Sequence, residues 1–149
     1  MKQSVFVDTD IVLDLLARRE PFYDAAARLF SLAETGHIHL SVSSLTFANL
    51  FYILRKQVSA RHAHEVLRNF KQLVSVLPVD DAIIEQALKA GFTDFEDAIQ
   101  YYSALTAGCS SFLTRNGRHY RKAAIPIFTA EAYCARNKSG EERREKGEG

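Results

Sequence analysis

The chain has 149 residues, 47% of them hydrophobic and 25% charged, the profile of one soluble globular domain with a core of its own. A formal charge of +1 excludes a strongly basic nucleic-acid coat, while a near-neutral enzyme can still carry a local binding patch. The two cysteines, Cys109 and Cys134, have neither metal-ligand nor redox spacing and read as reduced and structural. Val5-Phe6-Val7 is too short for a secretory signal core. The longest largely apolar stretch, Val42 to Leu54, is broken by Ser43, Ser44, Thr46 and Asn49 and falls short of the ~20 residues that cross a bilayer. A cytoplasmic protein with no membrane span is the expectation.

Short apolar runs alternate with longer helical ones, which predicts an α/β domain around a mostly parallel sheet. Ser4–Val7 reads as the first strand and Asp10–Ala17 as the first helix, with Asp10 its N-cap and Asp14 facing solvent or holding the nearby loop. Pro21 separates this helix from a second, Asp24–Ala33. After a strand at Ile38–Val42 comes a helical insertion. Its first helix, Ser44–Lys56, turns Leu45, Leu50, Ile53 and Leu54 inward; its second, Ala60–Phe70, turns in Ala63, Val66, Leu67 and Phe70 and is a candidate partner surface. Leu73–Leu77 is the third strand. The helix Asp81–Ala90 stops at Gly91, because glycine tolerates the left-handed conformation of a helix exit. A further helix begins at Thr93, with Ile99, Tyr102 and Leu105 toward the core, and strands at Ser111–Thr114 and Ile127-Phe128 complete the set. From Arg136 the composition turns to Lys, Arg, Glu, Gly and Ser, which predicts a domain over 1–135 and a disordered charged tail over 136–149.

Thr93-Asp94-Phe95-Glu96 fits a capping box, giving Glu96 a structural role. Asp94 and Asp97, three apart on the first turn, would by themselves need no more explanation than the helix macrodipole. The topology adds a second reason for them. In a parallel sheet all strand ends point the same way, and ligands bind outside the carboxyl ends. Asp8 ends the first strand, Ser43 and Ser44 end the second, and Thr114-Arg115-Asn116 ends the fourth. The crevice would collect Asp8, Asn49, Asp94, Asp97, Thr114 and Asn116, an oxygen-rich set without a thiolate that suits Mg2+ or Mn2+.

Four segments, in order and at matching separations, resemble PIN-domain proteins. They are Phe6-Val7-Asp8-Thr9-Asp10-Ile11-Val12-Leu13-Asp14-Leu15-Leu16, Ser44-Leu45-Thr46-Phe47-Ala48-Asn49-Leu50, Asp94-Phe95-Glu96-Asp97-Ala98-Ile99-Gln100 and Thr114-Arg115-Asn116, within a resemblance that covers about residues 4 to 133. It implies a three-layer α/β fold, a five-stranded parallel sheet flanked by helices. It also implies Mg2+- or Mn2+-dependent RNA cleavage to 5′-phosphate and 3′-hydroxyl products, as in the VapC-like toxins of toxin–antitoxin pairs. By motif position Asp8 is the first metal carboxylate and Asp97 the third, with Asp94 supporting it and Asn116 also catalytic. Asn49, Thr114 and Ser44 take supporting places. An RNA substrate, an antitoxin partner and a homodimer belong to the same implication.

Two departures bear on the site. The widespread pattern has glutamate where this chain has Asn49, and aspartate is common at Asn116. An asparagine offers a carbonyl oxygen but no charge, so weaker metal binding is expected. Asn49 nonetheless looks usual in the branch that carries the Asp-Phe-Glu-Asp run. A third departure is Gly117-Arg118-His119-Tyr120, where relatives often have an acidic residue near His119. The loop is basic instead, and Arg115, Arg118, His119, Arg121 and Lys122 are candidate RNA contacts, with a solvated surface loop as the plainer alternative. Arg55 and Lys56 favour a helix-dipole role. Tyr101, Tyr102 and Tyr120 are candidate stacking partners for unpaired bases, Tyr102 being the more core-like.

Two alternatives to a nuclease stand. Asp8-Thr9-Asp10-Ile11-Val12 also looks like the haloacid-dehalogenase nucleophile motif, with Asp80-Asp81 as its acidic pair, although the order and the missing cap module argue against a phosphatase. A PIN fold that binds RNA or protein without cleaving is the other, motivated by Asn49 and Asn116.

Overall fold

In the computed structural model, residues 2–120 and 123–137 are described. Five strands, β1 (Gln3–Val7), β2 (Ile38–Ser43), β3 (Ser75–Leu77), β4 (Ser111–Leu113) and β5 (Ile127–Phe128), form one sheet in the order β3-β2-β1-β4-β5. Every pairing is parallel, so each strand needs a crossover to reach its neighbour. The helices α1 (Thr9–Leu16), α2 (Tyr23–Glu34), α3 (Ser44–Leu54), α4 (Ala60–Lys71), α5 (Asp81–Lys89) and α6 (Phe95–Thr106) supply them. A short 3₁₀ turn, Gly117–Tyr120, follows β4, and 130–137 is helical. The α/β sandwich expected from the sequence is therefore the one observed.

Alternation along the central strands builds the layers. Val5 and Val7 of β1 and Leu113 of β4 face the larger core with Leu29, Leu40, Leu50 and Phe70. Phe6 and Phe112 point to the other face, against Tyr101, Ala104 and Tyr120. Their rings stack at 5.0 Å and 12° across the β1–β4 pair. Successive strand residues point to opposite faces, so a continuous apolar strand is buried on both sides. A third cluster, with Ile83, Ala87, Ala98 and Ile99, fastens α5 to α6.

Several local expectations are corrected. Leu73 lies in the exit of α4, its NH donating to the Phe70 carbonyl, and β3 starts at Ser75. Helix α3 ends at Leu54, and Ile53 faces out while Thr46 is buried. Leu105 of α6 is exposed, because the helix turns Ala98, Tyr101 and Ala104 inward instead. Asp8, not Asp10, is the N-cap residue of α1, and its side chain makes no cap bond. Thr93 does not cap α6; Asp94 does, its carboxylate accepting from the Asp97 NH at 3.0 Å. Gly91 takes the left-handed exit of α5 at φ 72°. Of the charged tail, Arg136 and Asn137 continue the last helix, and 138–149 lie outside the described residues.

Candidate active site

Strands β1 and β4 end side by side, and this junction fixes the first carboxylate. The Asp8 NH donates to the Leu113 carbonyl at 2.9 Å, extending the ladder by one residue. Thr114 Oγ1 then donates to Asp8 Oδ2 at 2.7 Å, and the Asn116 NH donates to Thr114 Oγ1 at 3.1 Å. Because α1 begins at Thr9, Asp8 is held at the strand end with only 3% of its surface exposed. A buried network locks the turn behind it: the Thr9 NH donates to Gln100 Oε1 at 3.1 Å, and Thr9 Oγ1 and Thr46 Oγ1 share a hydrogen bond at 2.9 Å.

The first turn of α6 supplies the facing wall. Asp94 caps the helix and thereby sets Asp97, whose Oδ2 lies 2.9 Å from His119 Nδ1. Glu96 Oε1 accepts from Asn49 Nδ2 at 2.9 Å, a bond that ties α6 to α3. These side chains meet in an open cleft of about 370 Å³, whose polar lining includes Asp8, Asp10, Asn49, Asp94, Glu96 and Asp97, joined by Gln100, Asn116 and His119, with Leu13, Tyr52 and Ile53 as its apolar part.

Burial is the largest cause that pushes the Asp8 carboxyl from 3.8 up to about 6; Asp10 and Asp97 push the same way, while hydrogen bonds from Thr114 and Gln100 oppose. Glu96 is raised mainly by burial too, with Asp94, Asp97 and Asp10 adding to it and the Asn49 bond opposing. Among the described residues no cation pairs with Asp8. Apart from the His119 ring, the polar groups facing the cleft offer carboxylate and amide oxygens, the hard donors that a small divalent cation takes. As placed, no three Asp, Glu, His or Cys side chains among the described residues close on one point, so water or the amide oxygens of Asn49, Gln100 or Asn116 would share the ligation.

Asp8, Asn49, Asp94, Asp97 and Asn116 come together as expected, with Thr114 directly behind Asp8. Ser44 does not: it is exposed at the start of α3, and the buried hydroxyls there are Ser43 and Thr46, 3.3 Å apart. Arg115 turns away to Asp14, with Nε 3.0 Å from Oδ2, and its guanidinium lies 4.0 Å from the Phe22 ring centre. That places its charge in a structural ion pair rather than beside a phosphate. Asp14 is accordingly buried, not solvent-facing. Arg118 is exposed beside the cleft, and His119 is the partner of Asp97. Tyr101 and Tyr120 are core residues, 5% and 3% exposed, which removes them as stacking surfaces. Arg121 and Lys122 lie outside the described residues.

Sequence reasoning missed Gln100, Thr9 and Thr46 and understated Asp10 and Glu96. A signal was present for Gln100, since it follows Asp97 by one turn on the same face of α6. The acidic pair of the phosphatase alternative is not in the cleft: Asp80 caps α5, accepting from the Ile83 NH at 3.0 Å.

Solved structures with this architecture are numerous. VapBC from Salmonella typhimurium, bound to DNA, superimposes with a TM-score of 0.66 at 19% identity over 87% of this chain and 99% of that one. VapBC2 from Rickettsia felis, bound to a promoter DNA fragment, gives 0.64 at 14% identity over 85% and 98%. VapC20 from Mycobacterium tuberculosis, a sarcin–ricin-loop-cleaving toxin, gives 0.63 at 18% identity over 81% and 95%. At such identities the likeness speaks for the fold. No curated protein matches the chain. The PIN domain family model matches residues 4–118, most of the chain and all of the cleft carboxylates, and the chain belongs to the PIN-domain family.

Proposed function

We propose that the protein is an Mg2+- or Mn2+-dependent endoribonuclease, the toxin of a toxin–antitoxin pair. The observation that carries this is Asp8: a carboxylate buried at a strand end, facing Asp97 across an acidic cleft, with no protein cation beside it among the described residues. Membership of the PIN family and likeness in fold to toxins solved in antitoxin complexes support the same reading.

Asp8 and Asp97, with Asp94 beside them, would hold the ion, which supplies an activated water and charge neutralisation on the scissile phosphate. The chain's own residues do the positioning. Thr114 fixes the Asp8 rotamer, Asp94 orients Asp97 through its backbone NH, and His119 holds the outer oxygen of Asp97. Asn116 stands at the mouth, its amide 3.4 Å from Asp10, where it can orient a phosphate oxygen. Water adds to phosphorus, the P–O3′ bond breaks, and a 5′-phosphate and a 3′-hydroxyl remain. An antitoxin partner, a homodimer and a cytoplasmic setting complete the reading.

A mixed single-stranded RNA pool incubated with purified protein and Mn2+, Mg2+ or chelator is the direct test. Metal-dependent products with 5′-phosphates, lost in Asp8→Asn, are expected; cleavage indifferent to metal and to Asp8 sinks the proposal. That no three Asp, Glu, His or Cys side chains converge among the described residues favours one second reading, a non-catalytic RNA- or protein-binding module. Such a module would bind its partner equally well in chelator and in Asp8→Asn.

A further inference from the structure

A second cavity, of about 690 Å³, adjoins the carboxylate cleft and shares Asp94, Asp97 and His119 with it. Its size lies within the roughly 300–1,000 Å³ of small-molecule sites. Its character differs from that of the cleft. The walls are Phe92, Tyr102 and Leu105, with Tyr101 and Tyr120 lining the interior and Arg118 at the edge. Phe92 and Tyr102 are half-buried, their ring centres 6.3 Å apart and planes tilted by 55°, so each keeps surface free for a ligand. Phe92 is held from behind by Tyr101 at 5.8 Å and Tyr120 at 5.8 Å, which makes it a rigid platform. The Tyr120 ring lies beneath these groups, its hydroxyl buried.

We propose that this cavity is a nucleobase subsite, which takes one unpaired base of the RNA strand next to the phosphate in the carboxylate cleft. The inference rests on the ribonuclease reading and deepens it. The base would stack on Phe92 or Tyr102, and Arg118 would meet the adjoining phosphate. Asp94, Asp97 and His119 line both cavities, so base and phosphate would belong to neighbouring parts of one strand. A base paired in a duplex cannot enter, so the subsite makes the enzyme selective for single-stranded RNA.

The test uses full-length Asp8→Asn protein, which removes turnover, and a short single-stranded RNA of mixed sequence with one 2-aminopurine, in Mg2+. Binding is read by anisotropy and stacking by 2-aminopurine fluorescence. Phe92→Leu and Tyr102→Leu, made in that background, should each weaken binding about tenfold or more and restore the quenched fluorescence, and Phe92→Tyr should preserve both. Because Phe92 also packs, Arg118→Ala gives an independent arm: at an exposed position, it should melt no lower than its parent yet bind RNA several-fold more weakly. Unchanged affinity and quenching in the two leucine variants and in Arg118→Ala overturn the subsite while leaving the nuclease intact. If wild type cleaves no RNA and the Asp8→Asn protein binds none, the ribonuclease reading fails and the subsite falls with it.

Discussion

Asp8 and Asp14 sit six residues apart, both buried, at 3% and 1% exposure, yet their surroundings are opposite in kind. Asp14 faces two arginines: Arg19 Nε lies 3.1 Å from Oδ1, and Arg115 Nε lies 3.0 Å from Oδ2. Asp8 has a threonine hydroxyl behind it and further carboxylates in front. Burial raises both carboxyls; at Asp14 the arginines oppose the rise, whereas at Asp8 the neighbouring Asp10 and Asp97 increase it. A buried charge completed from within the protein is a structural element, and one left without a counter-charge is costly to keep ionised.

Neutralising each aspartate breaks the comparison open, and the two variants should part in cleavage. Asp8→Asn should lower metal-dependent RNA cleavage by more than about a hundredfold, since loss of even an outer partner of a metal ligand costs about 10–100-fold. The same variant should melt higher at pH 7.5 without metal. Moving its pKa from 3.8 to about 6 means that ionised Asp8 opposes folding by up to roughly 3 kcal/mol. Asp14→Asn should leave cleavage below its melting point intact, because Asp14 and its partners Arg19 and Arg115 stand outside the cleft. Paired thermal melts and cleavage assays read both variants at once; a destabilised Asp8→Asn or an inactive, folded Asp14→Asn would erase the distinction.

The pH dependence sharpens it. A carboxyl whose folded pKa lies above its unfolded value binds its proton more tightly when folded. Its contribution to stability is complete below pH 3.8 and is lost as pH rises through about 6. Glu96 and Asp14, also raised, act with the same sign. Denaturant unfolding of the metal-free protein between pH 4 and 7.5 should therefore show Asp8→Asn gaining on wild type as pH rises, with most of the gain between about pH 4 and 6. Equal slopes for the two proteins would mean that Asp8 is not held as described.

Much of this arrangement was legible in the chain, and its failures share a cause. Val5-Phe6-Val7 and Ser111-Phe112-Leu113 announce buried strands because a strand covered on both faces has no polar residue to spare. Asp8 could be placed in advance because parallel strand ends converge, whereas Asp97, on the first turn of α6, could be placed through the acidic run that resembles the family motif. Arg115 was misjudged because its partner, Asp14, lies 101 residues earlier, and nothing local distinguishes a paired arginine from a free one. Tyr120 looked available for the same reason: what buries it is Phe112, 4.7 Å away on a strand whose facing partner is β1. Local sequence states what a residue can do; the long-range contact decides what it does.

The start of α6 is the smallest case and the finest test of that rule. Thr93 and Asp94 are both competent caps, and the capping-box pattern favours Thr93 with Glu96 as its reciprocal partner. In the fold Asp94 caps, and Glu96 is drawn across to Asn49. Asp94→Ala should consequently lose about 1 kcal/mol, whereas Thr93→Ala should stay within a few tenths of wild type. Glu96→Gln retains an oxygen for the Asn49 amide and relieves a carboxylate that its neighbours disfavour, so its melting temperature should hold or rise slightly while Mg2+ affinity falls. Melting curves of the three variants, with and without Mg2+, separate the roles. A loss in Thr93→Ala and Glu96→Gln as large as that in Asp94→Ala would restore the capping box and return Glu96 to the helix; the expected order makes it a cleft carboxylate, standing beside the asparagine that replaces one.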